Sequence, residues 1–548
     1  MNLCLTGNTF RRARKSDLVT GYNVAASDLL ESFIKYSGYD IYCLYESIGW
    51  DQLLRERIDI GSEKKLHMVS EYDVLFKGIN ALPHIDVFHS IKEDAVPLLS
   101  LRGHQGRDVP ITFTIHCLAE QHLIFDFFYP MLFLPYKPYD AIICTSKAVV
   151  QTIENMFIRL EEMTNRSLDF EVPLKHNIRL EHVPLGIDIE YFKPLDKVKC
   201  REGFNFGKDE FIILWFGRFS DLFKADLFPL LQVFKRLLVT NRDRKLRLVL
   251  AGSQESGIDY VGKIYSEAVH MGIEKYVRVV FNHEIENRAE LYSACDIFTS
   301  PIDNVQETFG LTPIEAMACG VPQVVSDWDG YRDTVVNDET GFLIKTVWTN
   351  CMDDVAGYDF LPSNVSRRQM LQRHLQVRST AVDQDDYFEK IQYLINNPNV
   401  LSSFGAASRK RALGSFSLCN TVKKTEELWG ELIKISCNCS SDFSSVNVPM
   451  LDYCHDFSNY PTTILDDGVI FCATEYGMTM PVRDVLQYRI FDDLIEESVL
   501  PEIILSFILE KGTIDMGAVI KKFSEYSMSQ VKREIMYLYK YGMIKPAR

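Results

Sequence analysis

The chain has 548 residues, 47% of them hydrophobic, enough for two to four domains with full cores. A formal net charge of −16 argues against a nucleic-acid binder overall and against non-specific adhesion to anionic lipid. The thirteen cysteines are odd in number and irregular in spacing, and Cys437-x-Cys439 has no second pair nearby, so they read as reduced cytosolic thiols rather than a zinc site. Residues 1–9 are too short and polar for a signal core. The most apolar run, 123–134, is broken by Asp126 and Pro130 and is too short to span a bilayer. It reads as core or subunit contact, with a membrane-surface role as the alternative. The expectation is a cytoplasmic protein, at most peripheral to a membrane, with no integral segment.

Residues 1–197 alternate short apolar runs with longer amphipathic ones, the pattern of a parallel sheet with crossover helices. Strands are expected at 2–5, 40–45, 85–89, 111–115 and 141–145. A helix is expected over 25–36, with Val24, Leu29, Leu30 and Phe33 on one face. In the loop 19–24 before it, Gly21 can let backbone approach a phosphate or an acceptor, or can simply make a turn. His116 follows the strand 111–115, at the carboxyl edge where parallel sheets bind ligands; a solvated strand-end histidine is the other reading.

The segment 198–435 repeats the alternation. Its first strand, 211–218, ends in Gly217-Arg218, and Lys224 follows six residues later. Cations at such a mouth can hold an anionic ligand, although loop cations are often plain surface. Strands at 246–251 and 277–281 and a helix at 260–271 come next, then the loop 282–285 with His283 and Glu284. A buried strand at 295–299 leads into the stretch 303–322, which breaks at Gly310 and starts a helix. Thr312 can cap that helix and Pro313 suits its first position. The free N–H groups of Gly310, Leu311 and Thr312 would then make an anion site, framed by Glu307 and Glu315. Thr312-x-x-Glu315 is also a capping box that needs no ligand, and Glu307 alone reads as a solvated loop acid.

Two glutamates eight apart, Phe309-Gly310 between them, the string from Glu315 to Pro322 and Gly341-Phe-Leu beyond resemble the retaining glycosyltransferases of family 4. Gly217-Arg218 with a lysine shortly after is similar to the same family, and the resemblance covers about 1–435, strongest over 211–345. The chain departs from the pattern at Phe223 and Ala225, which flank Lys224 where the family has Glu and Gly, and at Gly21, where it has two glycines. The resemblance implies an α/β GT-B fold, two Rossmann-like domains facing across a cleft, with the acceptor domain at 1–197 and the donor domain at 198–435. It implies retaining transfer from a UDP- or GDP-sugar, a co-substrate rather than a cofactor, to an unidentified acceptor. Arg218 and Lys224 would hold the diphosphate, Gly310 and Leu311 would offer N–H groups, and Glu315 would hold the ribose. Glu307 would orient the sugar, His116 would touch it from the opposite lobe, and the loop with His283 and Glu284 would lie against the base. Asp327-Trp-Asp329 has a form that binds metal in another transferase fold; here the resemblance implies a turn and no metal. Two rivals are a non-catalytic scaffold on this fold and a sugar phosphorylase or epimerase.

Beyond these, 350–381 reads as a polar, irregular insertion and 386–435 as helices, the last of them, 421–435, crossing back to the first half. A linker is expected at 436–450, then an accessory domain at 451–548. A hairpin around Asp466-Asp-Gly468 and helices at 483–497, 501–511, 516–523 and 529–541 resemble a winged-helix module. From Lys511 to Arg548 there are eight basic and three acidic residues, an excess that allows a nucleic-acid contact but that the strongly acidic stretch 484–510 can balance. Protein or peptide docking, a peptide acceptor included, is therefore the preferred reading over nucleic acid.

Overall fold

The computed structural model describes residues 1–6, 21–45, 66–70, 82–91, 93–167, 176–254, 259–285, 287–305, 307–349, 365–439, 456, 459, 462–480, 482 and 499–547. The chain divides into two compact units, Met1–Val448 and Pro449–Arg548.

The first unit holds two parallel sheets. Seven strands form the first: β1 (Asn2–Thr6), β2 (Asp40–Tyr45), β3 (Leu66–Ser70), β4 (Val87–Ser90), β5 (Ile111–Ile115), β6 (Ala141–Cys144) and β7 (Arg179–His182), in the order β3-β2-β1-β4-β5-β6-β7. Six form the second: β8 (Glu210–Phe219), β9 (Lys245–Gln254), β10 (Val277–Phe281), β11 (Ile297–Ser300), β12 (Gln323–Ser326) and β13 (Gly341–Ile344), in the order β10-β9-β8-β11-β12-β13. Strands β4, β5, β6, β11 and β12 are buried along their whole length, as both faces of a helix-covered parallel sheet must be. Each order reverses once, between β1 and β4 and between β8 and β11. At such a reversal the following loops diverge and leave a crevice beyond the carboxyl ends of the strands.

The helix Leu418–Cys437 ties the second sheet's chain back to the first sheet. Ser417 caps it, and Trp429 stacks on Phe33 with 5.1 Å between ring centroids. The Trp429 indole N–H donates to the Thr112 hydroxyl at 3.0 Å, so the ring is buried without an orphaned donor. Where this helix begins, Ile187 exchanges backbone hydrogen bonds with Phe416 and Leu418. A side chain at Gly186 would meet the Leu418 nitrogen at 2.7 Å, so the two crossover segments lie as close as glycine permits.

Several expectations are corrected. The first long helix is Gly21–Tyr36, so Gly21 is its first residue rather than part of a loop; Val19 and Thr20 lie outside the described residues. The segment 350–381 contains the helix Val365–Val377, and its last two residues open β15 (Thr380–Val382), which pairs with β14 (Thr346–Trp348). Residues 350–364 lie outside the described residues. The run 123–134 forms a wide helical turn, Ile124–Phe128, that passes directly into a short α-helix, Tyr129–Phe133, with Pro130 in its first turn and extended backbone from Leu134. Phe127, Phe128, Met131 and Leu132 enter the core, while Phe125 and Phe133 stay exposed.

In the second unit, β16 (Ile470–Ala473) lies between β17 (Thr513–Asp515) and β18 (Ile544–Pro546), antiparallel to both. Asp466–Gly468 makes a turn, with the Gly468 N–H donating to the Asp466 carboxylate at 2.8 Å. The expected hairpin is absent among the described residues, because β16 takes its partners from chain more than forty residues on. The helices Leu500–Lys511, Met516–Lys522 and Met528–Lys540 cover that sheet, and Ser527 and Gln530 form a capping box on the last. The helix expected at 483–497 and the linker beyond Cys439 lie outside the described residues. Among the described residues no helix is long and apolar enough to cross a membrane, and no cluster of side chains could hold a metal.

Candidate functional site

The reversal between β8 and β11 places two loops side by side. β8 delivers Gly217 and Arg218 and then Lys224; β11 delivers the loop to Glu307 and the helix Leu311–Ala318. The Lys224 ammonium is ion-paired to the Glu307 carboxylate, both side chains being mostly buried. A side chain at Gly217 would press on the Trp215 ring at 2.9 Å and on the Lys224 stem at 3.3 Å. Glycine there is what lets Lys224 fold over the strand end toward Glu307. Arg218 lies over the Phe223 ring, 5.1 Å from its centroid.

The helix Leu311–Ala318 starts differently from the sequence expectation. Its N-cap is Gly310, at φ 98°, with Thr312 already inside the first turn. A Cβ at Gly310 would sit 2.3 Å from the Tyr331 ring, so the chain turns here only because the position has no side chain. No capping box forms. Glu315 is 2% exposed and points inward, where Oε1 accepts from Arg288 at 2.9 Å and Oε2 accepts from the Tyr292 hydroxyl at 2.7 Å. Burial pushes its carboxyl up from the ordinary range, against the pull of Arg288. Neither partner carried a sequence signal: Arg288 and Tyr292 sit on the separate short helix Arg288–Ala294, capped by Asn287.

His116 follows β5 directly. Burial lowers its imidazole to about 4, so it is neutral at pH 7. Its carbonyl accepts from the Thr308 hydroxyl at 2.9 Å, which places it against the loop between Glu307 and Gly310. Three further contacts join the carboxyl ends of the two sheets. Thr145 donates to the Thr308 carbonyl at 3.3 Å, Ser146 donates to Asp329 at 3.3 Å, and the Lys147 N–H donates to Asp333 at 2.6 Å. That last donor begins the helix Lys147–Ser167, so a carboxylate from the second sheet's side meets the positive end of a helix on the first. Asp329, at φ 41°, is pushed up to about 7 by burial and by Glu307. Glu93, after β4, accepts from the His116 N–H at 3.3 Å and is likewise pushed up to about 7 by burial.

The structure thus gathers Arg218, Lys224, Glu307, Gly310, Leu311, Thr312 and His116 around one crevice, with Gly217 beneath and Glu315 just inside. His283 and Glu284 lie at the end of β10, two strands from β8: His283 stacks on Phe281, and Glu284 accepts from the Phe281 N–H at 2.8 Å. Gly21 opens the helix after β1. Asp327 is tied to Arg332 at 2.7 Å, and among the described residues it shares no cluster with Asp329 that could hold a metal. Glu93, Arg288 and Tyr292 were missed, since isolated residues on separate elements have no periodicity to betray them; the sequence marks Asp329 only as part of Asp327-Trp-Asp329, not as a partner of Ser146.

Two parallel Rossmann-like sheets whose carboxyl ends meet across a crevice define the GT-B class, and the fold is GT-B. A glycosyltransferase from Rickettsia africae superposes with a TM-score of 0.53 at 15% identity, over 79% of this chain and 98% of that one. The Anabaena protein HepE, solved in complex with UDP, gives 0.51 at 16% identity over 78% and 99%. Residues 196–356 match the family described as Glycosyl transferases group 1. A D-inositol 3-phosphate glycosyltransferase of Mycobacteroides abscessus is 32% identical over 179 residues, 33% of this chain and 38% of the relative. Another from Stackebrandtia nassauensis is 29% identical over 237 residues, 42% and 49% of the two chains. The chain therefore spans less than half the length of these relatives.

Proposed function

We propose that the protein is a glycosyltransferase that moves a sugar from a UDP- or GDP-sugar to an acceptor hydroxyl with retention of configuration and without a metal. The observation that carries this reading is the Lys224–Glu307 pair at the β8/β11 reversal, beside Arg218 and the start of the helix Leu311–Ala318. The match of residues 196–356 to a glycosyltransferase family and the UDP complex of HepE support it.

In this reading a donor diphosphate draws Lys224 from Glu307 and takes Arg218 as a second cation, while the N–H groups of Leu311 and Thr312 face its oxygens. Glu307, released, accepts hydroxyls of the sugar, and His116 meets the sugar as a neutral ring. Glu315 braces Arg288 and Tyr292 and accepts from the ribose on its remaining lone pairs. His283 and Glu284 flank the base at the end of β10. The bond from the anomeric carbon to the diphosphate oxygen breaks and the acceptor oxygen bonds the same carbon on the same face. The departing phosphate oxygen takes the acceptor proton. Cations placed before the reaction stabilise the charge that develops on the diphosphate. The helical second unit is the candidate docking module for a peptide or protein acceptor.

The test is a thermal shift with UDP, GDP, ADP and their sugar conjugates, on the wild type and on Arg218→Ala and Lys224→Ala. A ligand that binds the folded state raises the midpoint by mass action. One nucleotide should shift the wild type and lose most of that shift in both variants. No shift at millimolar concentration with any of them would overturn the reading and favour a scaffold.

A further inference from the structure

One cation reaches the crevice from outside the segment that matches the transferase family, which ends at residue 356. Arg373, on the helix Val365–Val377, is 3% exposed and ion-paired to Glu120 on the loop after β5, four residues past His116. Its guanidinium carbon lies 4.7 Å from the centroid of the Phe223 ring; that of Arg218 lies 5.1 Å from the same centroid. Phe223 immediately precedes Lys224, whose ammonium holds Glu307. One aromatic ring therefore gathers two guanidiniums, and one of them reaches across to the loop of the other sheet.

An aromatic face attracts cations through its quadrupole and leaves their charge intact, whereas a carboxylate at the same place would neutralise one of them. Phe223 thus organises positive charge beside Lys224 without cancelling it. The planar guanidinium of Arg373 lies near the ring while it grips Glu120, a fixed fork that the point charge of a lysine does not reproduce.

We propose that Arg373 is a positioning residue of the donor site. Paired with Glu120, it clamps Phe223, and through that ring it sets Arg218 and Lys224 while holding the 116–120 loop against the second sheet. Closing the crevice and placing the cations become one event. The ligand in this inference rests on the donor-site reading; the clamp itself does not.

The test uses the full chain as wild type, Arg373→Gln, Arg373→Lys, Glu120→Gln and the swap Arg373→Glu with Glu120→Arg. Hydrogen exchange without ligand, in segments 116–124 and 219–226, reads the clamp directly. Arg373→Gln should speed exchange about fivefold or more in both segments while distant strands keep wild-type rates. Glu120→Gln should loosen 116–124, the swap should restore that segment, and Arg373→Lys should leave 219–226 loose. Titration with UDP should show about tenfold weaker binding for Arg373→Gln. Wild-type exchange in both segments of folded Arg373→Gln would overturn the clamp. If Arg373→Gln does not fold, unchanged exchange at 116–124 in Glu120→Gln overturns it instead. If the wild type binds no nucleoside diphosphate, the donor reading falls and the exchange rates still decide the clamp.

Discussion

Glu315 holds Arg288 at 2.9 Å from a site where its own carboxylate is 2% exposed. Removing one partner of a fully buried pair costs about 3–5 kcal/mol, and here the 31% exposure of the Arg288 side chain lets water take up part of its charge. Glu315→Ala should therefore unfold at lower denaturant, with a loss of up to about 3 kcal/mol measured by equilibrium urea titration. Loss of nucleotide binding in this variant would report folding as much as ligand contact. A melt equal to wild type would show that Glu315 is not a structural brace.

Lys224 and Glu307 test the donor site more cleanly, because their partnership lies at its mouth. A diphosphate must compete with Glu307 for the ammonium. Lys224→Ala should weaken nucleoside diphosphate binding about tenfold, in line with the ~1.5–3 kcal/mol of a hydrogen bond to a charged group. Glu307→Gln should bind the same nucleotide at least as tightly as wild type, yet fail to transfer sugar. Calorimetric titration of both variants checks this; weaker binding in Glu307→Gln would mean that the acid does not compete for Lys224.

Asp303 carries a pH signature. Burial, with Asp226 and Asp221 nearby, raises its carboxyl from 3.8 to about 8, while the Asp226 N–H at 3.4 Å pulls the other way. Between those two values the folded chain keeps a proton that the unfolded chain has lost, so the contribution of Asp303 to stability falls as pH rises through that window. Asp303→Asn should remove that slope. Its melting temperature relative to wild type should rise from pH 5 to pH 8 in a scan of both proteins. Parallel curves would exclude the titration.

Gly310 and Gly330 form a packed turn. A Cβ on Gly330 would meet the Phe309 Cα at 2.4 Å, and one on Gly310 would meet Tyr331 at 2.3 Å with the backbone at φ 98°. Overpacking of this kind costs roughly 1–3 kcal/mol, and a positive φ adds to it for alanine. Gly310→Ala should lower stability by at least about 2 kcal/mol in urea titration, and the shifted helix start should weaken nucleotide binding as well. Unchanged affinity would separate the turn from the anion site.

The sequence by itself determined the two alternating halves, the strand ends that carry His116 and Gly217-Arg218, and the returning helix with Trp429. Those features are local: a buried strand needs an unbroken apolar run and a covered helix needs an apolar stripe, and both are written in consecutive residues. The place of Gly310 at a helix start was legible for the same reason. The tertiary structure alone decided what the acids do. Thr312-x-x-Glu315 satisfies the capping pattern, but Arg288 and Tyr292, packed beneath from another helix, offered the carboxylate stronger partners than one backbone N–H. Gly310 took the cap because Tyr331 leaves no room for a side chain there. The pairing of Lys224 with Glu307, 83 residues apart, and the helix that carries Arg373 to Phe223 and Glu120 depend on which loops the sheet order brings together. Periodicity describes one element at a time; a charge pair across loops exists only once the strands have chosen their neighbours.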